Sequence, residues 1–327
     1  MKEGIDFSTY LSEYEFGAPY EVEHRESGMN NTTRIIASGQ ERYVLRIYNN
    51  HKDAGIVRLE HEVLAALQQQ KPPFRVPIPV RNKRGDTVCT AGDGTLSALF
   101  QYIEGDRPNP ENPAHVLALG RTAALLTAAL GRINPAGKPL YSPYYELEST
   151  YEAMDEHAFL SIADRSEAFA ARRNRFLYLQ KERLSLRAEC EAVSRLPKQW
   201  IHGDLVFNNT VSQGDDIIGV LDFEFSTIDV RAMELAVVIV DLLKPDDPAC
   251  GMKVKRLLEG YHESFRLTGE EIMMLPVLMK LRLLDVALHF AVRLRDGLDG
   301  EEVLCGIMDQ TLFGCGWINE NWEDVRR

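Results

Sequence analysis

Cysteine is scarce: five in 327 residues, at Cys89, Cys190, Cys250, Cys305 and Cys315. The number is odd, the spacing wide, and no C-x-x-C pair occurs. That argues against a zinc knuckle or a disulfide framework and for reduced, intracellular thiols. Positive charge is also short, with 37 Lys and Arg against 49 Asp and Glu, a net charge of −12. Nucleic-acid binding relies on clustered Lys and Arg, so no polyanion-binding surface is expected. The most apolar run, 235–243, is interrupted by Asp241 and is too short to span a bilayer. The N-terminus lacks a basic region followed by an apolar stretch, so a signal peptide is not expected. These absences predict a soluble, cytoplasmic protein with neither nucleic acid nor membrane as partner. Several nucleotide and metal signatures are missing too. G-x-x-x-x-G-K-[ST] fails because Gly131 and Gly137-Lys138 are wrongly spaced and Pro139 follows. G-x-G-x-x-G and H-E-x-x-H do not occur.

What is present is an ordinary globular composition, 45% hydrophobic and 26% charged, in a chain long enough for about two domains. The first hundred residues read as strands at 20–25, 32–37, 42–48 and 96–103, rich in β-branched and aromatic residues. One helix interrupts them at 56–67, with Leu59, Val63, Leu64 and Leu67 near helical spacing and Pro72 and Pro73 closing it. The composition changes at Glu104-Gly105-Asp106-Arg107-Pro108, and a long helical stretch follows. Charged, helix-favouring sequence fills 146–195, strand-like sequence returns within 199–222, and helices resume after Ala232. The predicted layout is α+β: a small β-rich lobe, residues 1–104, and a large helical lobe, residues 105–327, with a few strands at its centre.

The segment that carries chemistry is His202-Gly203-Asp204-Leu205-Val206-Phe207-Asn208-Asn209. Thirteen residues after Asn209, an apolar strand delivers Asp222 in Gly219-Val220-Leu221-Asp222-Phe223-Glu224. Phosphoryl transfer to a hydroxyl needs such a set. One carboxylate accepts the hydroxyl proton and aims the nucleophile, while an amide oxygen and a second carboxylate hold Mg²⁺ on the nucleotide phosphates. Asp204 is therefore the candidate catalytic residue, and Asn209 and Asp222 the candidate metal ligands. The spacing parallels the protein-kinase template H-R-D-x-x-x-x-N followed by D-F-G, with His-Gly-Asp and Asp-Phe-Glu in its place. His-Gly-Asp also occurs in dinuclear metallophosphatases, but those require an Asp two residues before the His, where this chain has Trp200.

The His-Gly-Asp-Leu form resembles the aminoglycoside phosphotransferase / choline kinase superfamily, which includes type II homoserine kinases, methylthioribose kinases and spore-coat kinase-like proteins. The resemblance covers nearly the whole chain and implies a two-lobe, protein-kinase-like fold that binds ATP and Mg²⁺. Val44-Leu45-Arg46-Ile47 matches the strand that carries the phosphate-contacting lysine of kinases, with Arg46 in its place. Glu60 matches the helix glutamate that pairs with that cation, and Glu62 competes by spacing alone. Gly28 matches the loop over the phosphates. Phe100-Gln101-Tyr102-Ile103 resembles the hinge between lobes, so the backbone at Gln101 and Ile103 is expected to hold adenine. The family commonly has His-Pro where this chain has Val206-Phe207, and Asp-Leu-Ala where it has Glu234-Leu235-Ala236.

Other features are read more plainly. His202 is expected to orient the loop backbone, and Asp229 to brace the catalytic loop. Glu146, Glu148, Glu152, Asp155 and Glu156 read as a solvated face. Asp285, His289 and Arg293 lie four apart on one helix face, lining an acceptor pocket or forming an ionic row. Trp317 and Trp322 are expected to pack the last helix. The resemblance implies a Mg·ATP-dependent phosphotransferase acting on a small-molecule hydroxyl, with homoserine or a similar amino alcohol favoured. A nucleotide-binding structural protein of the spore-coat type and a protein Ser/Thr kinase are the competing classes.

Overall fold

A computed structural model describes residues 6–23, 31–49 and 52–326. Gly28, the expected phosphate-loop glycine, lies outside the described residues. A short helix α1 (Ser8–Leu11) precedes β1 (Tyr20–Glu23), β2 (Asn31–Ser38) and β3 (Glu41–Tyr48). Then come α2 (Ala54–Gln70), β4 (Cys89–Thr90) and β5 (Leu96–Gln101). The five strands form one antiparallel sheet in the order β1-β2-β3-β5-β4. Strand alternation divides β3. Leu45 and Ile47 join Leu11, Tyr14, Ile36 and Leu99 on one face, whereas Val44, Arg46 and Tyr48 face the other way, toward α2 and the cleft. Asp53 caps α2 by accepting from the Gly55 amide at 2.8 Å. Lys71, before Pro72, ends it in a left-handed conformation.

The second lobe begins with α3 (Pro113–Leu130). The acidic stretch then winds through α4 (Leu147–Thr150), α5 (Glu156–Ser161) and α6 (Glu167–Ala170) into α7 (Arg173–Val193). It is more than a solvated face: Glu148 binds the buried Arg183 through both oxygens, at 2.8 and 3.0 Å, and Asp155 caps α5. Four short strands follow, β6 (Lys198–Ile201), β7 (Thr210–Gln213), β8 (Asp216–Val220) and β9 (Thr227–Val230), paired as β6-β9 and β7-β8. The chain closes with α8 (Ala232–Leu242), α9 (Cys250–Ser264), α10 (Gly269–Arg295) and α11 (Glu301–Val325). Every residue of α8 except Asp241 is buried, which explains the apolar run: a helix that is hydrophobic all round sits in a core. Trp322 is buried and Trp317 packs beside the same core.

Helix α3 is long and apolar enough to cross a membrane by length and composition, yet most of it is buried inside the protein. It packs against α9 at Gly120 and Gly260. A Cβ on Gly120 would lie 2.0 Å from the Leu257 carbonyl oxygen, and one on Gly260 would lie 2.1 Å from that of Leu117. Backbone cannot yield at such distances. Gly260→Ala is therefore expected to cost about 3 kcal/mol or more, at or above the usual overpacking penalty. Chemical denaturation checks this, and a loss under about 1 kcal/mol would mean that the two helices sit further apart.

Candidate active site

The segment after β6 is built to hold its shape. Gly203 takes φ +80°, where a Cβ would also meet the Phe225 carbonyl oxygen at 2.9 Å. His202 Nδ1 accepts from the Asp204 amide (3.1 Å), so its Nε2 carries the proton and donates to the Leu221 carbonyl (2.8 Å). The Leu221 amide in turn donates to the Asn209 carbonyl at 2.8 Å. One residue of backbone thus ties the His202 loop, the Asn209 turn and the strand that ends at Asp222. His202 does orient this backbone. The buried Glu234 braces the loop by accepting from the His202 amide (2.6 Å), with the Gly203 amide also directed at it. Asp229, expected in that role, instead accepts from the amides of Tyr144 (2.7 Å) and Val230 (2.6 Å). It holds the 141–151 segment and not the His202 loop.

Asp204, Asn209 and Asp222 meet at one place. The Asn209 amide nitrogen donates to the Asp204 carbonyl (2.9 Å) and to its Oδ2 (3.1 Å), which leaves the Asn209 side-chain oxygen for a cation. Asp222 has a positive φ of 65°, unusual for a residue with a side chain. Its Oδ1 is buried and lies 3.1 Å from the Arg46 guanidinium without hydrogen-bonding geometry. Arg46 also pairs with Glu60 at 3.1 Å, and Glu60 accepts from the Tyr48 hydroxyl at 3.2 Å. Burial pushes the Glu60 carboxyl up to about 7 against the pull of Arg46. Glu62, two residues on and hence across the helix, accepts from the Gly137 amide (2.8 Å) and takes no part. The choice between the two glutamates follows from which face of α2 meets the cleft.

Two cavities adjoin this cluster. The first, about 250 Å³, lies between the sheet and β7-β8, with Ile35, Val44, Phe100, Ile103, Val211 and Leu221 as apolar walls. Arg46, Glu60, Asn209 and Asp222 stand at its polar end, and Gln101 and Ile103 line it. The Tyr102 amide is spent on the Arg42 carbonyl (3.0 Å), whereas no partner among the described residues occupies the Ile103 amide. The lobes are tied by the Arg75–Ile218 backbone hydrogen bond (2.8 Å), and Asp106, just past the hinge, is held to Ser212 by another of 2.8 Å.

The second cavity, about 390 Å³, lies on the far side of Asp204, which lines it together with Tyr144, Tyr151, Arg282, Asp285 and His289. Asp285 and His289 of the predicted row thus reach the cavity, and Arg293 turns away to pair with Asp299 through Nε and one terminal nitrogen. The sequence reading did not pick out Arg282, three residues before Asp285 on the same face. It forms an ion pair with Asp204 and donates to the Tyr144 hydroxyl (2.7 Å), which donates to the Gly203 carbonyl (2.7 Å). Tyr144 and Tyr151 were missed as well, since a tyrosine in a helical stretch carries no signal of a pocket. Burial raises the Asp204 carboxyl above its ordinary range, and Arg282 opposes that rise.

No group of three or more His, Cys, Asp or Glu side chains placed to hold a metal ion occurs among the described residues. A cation with several protein ligands is not what this site offers. The side-chain oxygen of Asn209 and the Oδ1 of Asp222, which no hydrogen bond satisfies, suit a hard divalent ion that takes its remaining oxygens from phosphates and water.

The family model described as APH, Phosphotransferase enzyme family, matches residues 21–268. A homoserine kinase of Methylobacillus flagellatus is 26% identical over 267 residues, which cover 80% of this chain and 76% of that one. A homoserine kinase of Rhizobium etli is 26% identical over 281 residues, 84% of this chain and 81% of that one. Among solved structures, the microcompartment-associated aminopropanol kinase superposes with a TM-score of 0.74 at 18% identity, covering 97% of each chain. An amicoumacin kinase in complex with AMP-PNP, Ca²⁺ and amicoumacin gives 0.68 at 16% identity, covering 94% of this chain and 93% of that one. The two-lobe, kinase-like fold expected from the sequence is the fold observed.

Burial holds the Asp229 carboxyl at about 7, well above its ordinary 3.8. The folded protein then keeps a proton there that the unfolded chain loses. Stability from this group is full below about pH 4 and is lost as pH rises through about 7. Wild-type stability relative to Asp229→Asn is expected to fall across that interval in denaturant titrations. A pH-independent difference would show that Asp229 is ionised throughout.

Proposed function

Because this chain belongs to the phosphotransferase enzyme family and is an ATP-dependent kinase of hydroxyl groups, we propose that it moves the γ-phosphate of Mg·ATP to a hydroxyl of a small molecule at Asp204. A single observation carries this reading: Asp204 lines one cavity, its neighbours Asn209 and Asp222 line the other, and a hydrogen bond joins Asn209 to Asp204. In this reading the adenine lies along the hinge, where the Ile103 amide and the Gln101 backbone receive it. The phosphates extend toward Arg46, which Glu60 holds in place. Asn209 and Asp222 hold Mg²⁺, which neutralises phosphate charge when bound.

The reaction follows from the placement. Asp204 orients the acceptor hydroxyl, whose oxygen forms a bond to the γ-phosphorus as the bond to the bridging oxygen of ADP breaks. The hydroxyl proton passes to Asp204 late, so a carboxylate suffices as base. Arg282 keeps Asp204 charged in a buried setting. The acceptor cavity is small and walled, which favours a small molecule over a protein segment. Within that class we favour an amino alcohol, the kind of acceptor that the homoserine kinases among its relatives point to. Free thiols throughout fit the cytoplasm as its setting.

Asp204→Asn is nearly isosteric. It is expected to lower kcat by about 10²–10⁴-fold while nucleotide Kd changes little, because the lost interaction belongs to the transition state. Coupled ADP-release kinetics and calorimetry with AMP-PNP check the two halves. Turnover within about threefold of wild type would remove Asp204 from the reaction. Asp222→Ala is expected to abolish the Mg²⁺ dependence of AMP-PNP binding, and Asn209→Ala to weaken it less, since a neutral amide contributes less than a carboxylate. Equal Mg²⁺ dependence in wild type and Asp222→Ala would displace the metal from this site.

A further inference from the structure

Resting on the reading that the second cavity holds the acceptor, we infer that Asp285 and the rings around it form a subsite for the ammonium group of an amino alcohol, and that the site disfavours acceptors that also carry a carboxylate.

Asp285 faces the cavity from α10, and its one hydrogen-bond partner is the Tyr151 hydroxyl at 2.8 Å. It has no ion-pair partner among the described residues, since Arg282, one turn earlier, is engaged with Asp204 and Tyr144. A half-buried carboxylate whose one hydrogen bond comes from a neutral hydroxyl is costly: desolvation pushes this carboxyl above its usual range, and the nearby Arg282 charge only partly opposes that rise. A cation seated beside it offsets that cost. Tyr144, Tyr151, Phe225 and Phe290 supply the aromatic faces on which an ammonium group also gains.

The charged groups on the same walls offer little to an anion. Arg282 is the one permanently charged cation lining the cavity, and it is committed to the catalytic carboxylate. The Tyr144 hydroxyl gives its proton to the Gly203 carbonyl, and that of Tyr151 to Asp285. Burial lowers His289 and keeps it neutral. An acceptor carboxylate would therefore meet two carboxylates, Asp204 and Asp285. It could find a counter-ion only by drawing Arg282 away from the residue that must receive the hydroxyl.

Three acceptors with the same terminal hydroxyl separate these effects: 3-amino-1-propanol, 1,3-propanediol, which lacks the ammonium, and homoserine, which adds a carboxylate. Initial rates of Mg·ATP-dependent ADP release give kcat/KM for each. The amino alcohol is expected to exceed both others by about tenfold or more, the scale of one charged hydrogen bond. In Asp285→Asn, which keeps an acceptor for Tyr151, the preference for the amine over the diol is expected to fall to within about threefold. AMP-PNP binding shows that this variant is folded. Homoserine turned over as well as or better than the amino alcohol overturns the inference and leaves the phosphotransferase reading standing. So does an amine preference unchanged in Asp285→Asn. Turnover of none of the three, with Mg²⁺-dependent AMP-PNP binding intact, overturns the amino-alcohol reading and the inference together.

Discussion

The backbone of Leu221 is the point on which the site depends. Its carbonyl accepts a hydrogen bond from His202 Nε2 and its amide donates to Asn209, so three separate segments are fixed to the backbone of one residue. The side chains that follow from those segments, Asp204, Asn209 and Asp222, then have no freedom to drift apart. Around this knot stand charges that burial alone would neutralise. Glu234 is paid for by amides, Asp204 by Arg282 and Asn209, and Glu60 by Arg46 and Tyr48. Each buried charge is compensated by a partner from a different element. The charged groups thereby hold the two lobes and the helices around the cleft in one arrangement.

Arg46 shows what this arrangement accomplishes. It stands between Glu60 of the first lobe and Asp222 of the second, at 3.1 Å from each. The guanidinium reaches both carboxylates through one terminal nitrogen, hydrogen-bonding Glu60 and standing in ionic contact with Asp222. The polar end of the first cavity is thus set by one side chain that both lobes hold.

Much of this was legible in the sequence because its determinants are local. The five-residue step from Asp204 to Asn209 and the apolar strand before Asp222 are written within 21 residues of sequence. The strand alternation that turns Arg46 to the cleft and the helical pattern of α2 are local as well. What was not legible depends on distant packing. Arg282 reaches Asp204 across 78 positions, and Tyr144 reaches Gly203 across 59. Neither has a spacing that marks it, and both fall in helix-rich sequence where any polar residue reads as solvated. Glu234 departs from the aspartate expected at its place, yet its carboxylate takes the loop amides, so the change in length is absorbed by packing. Glu60 and Glu62 could be told apart only once the face of α2 that meets the sheet was known.

The central claim is that nucleotide and acceptor meet across Asp204 with a divalent ion on Asn209 and Asp222. Crystals grown with AMP-PNP and Mn²⁺ in place of Mg²⁺ test it most directly, through the anomalous signal of the metal. The account predicts a Mn²⁺ peak bonded to the Asn209 side-chain oxygen and the Asp222 carboxylate, with adenine at Ile103 and the γ-phosphate directed at Asp204. A metal bound elsewhere, or a nucleotide whose phosphates point away from Asp204, would contradict it.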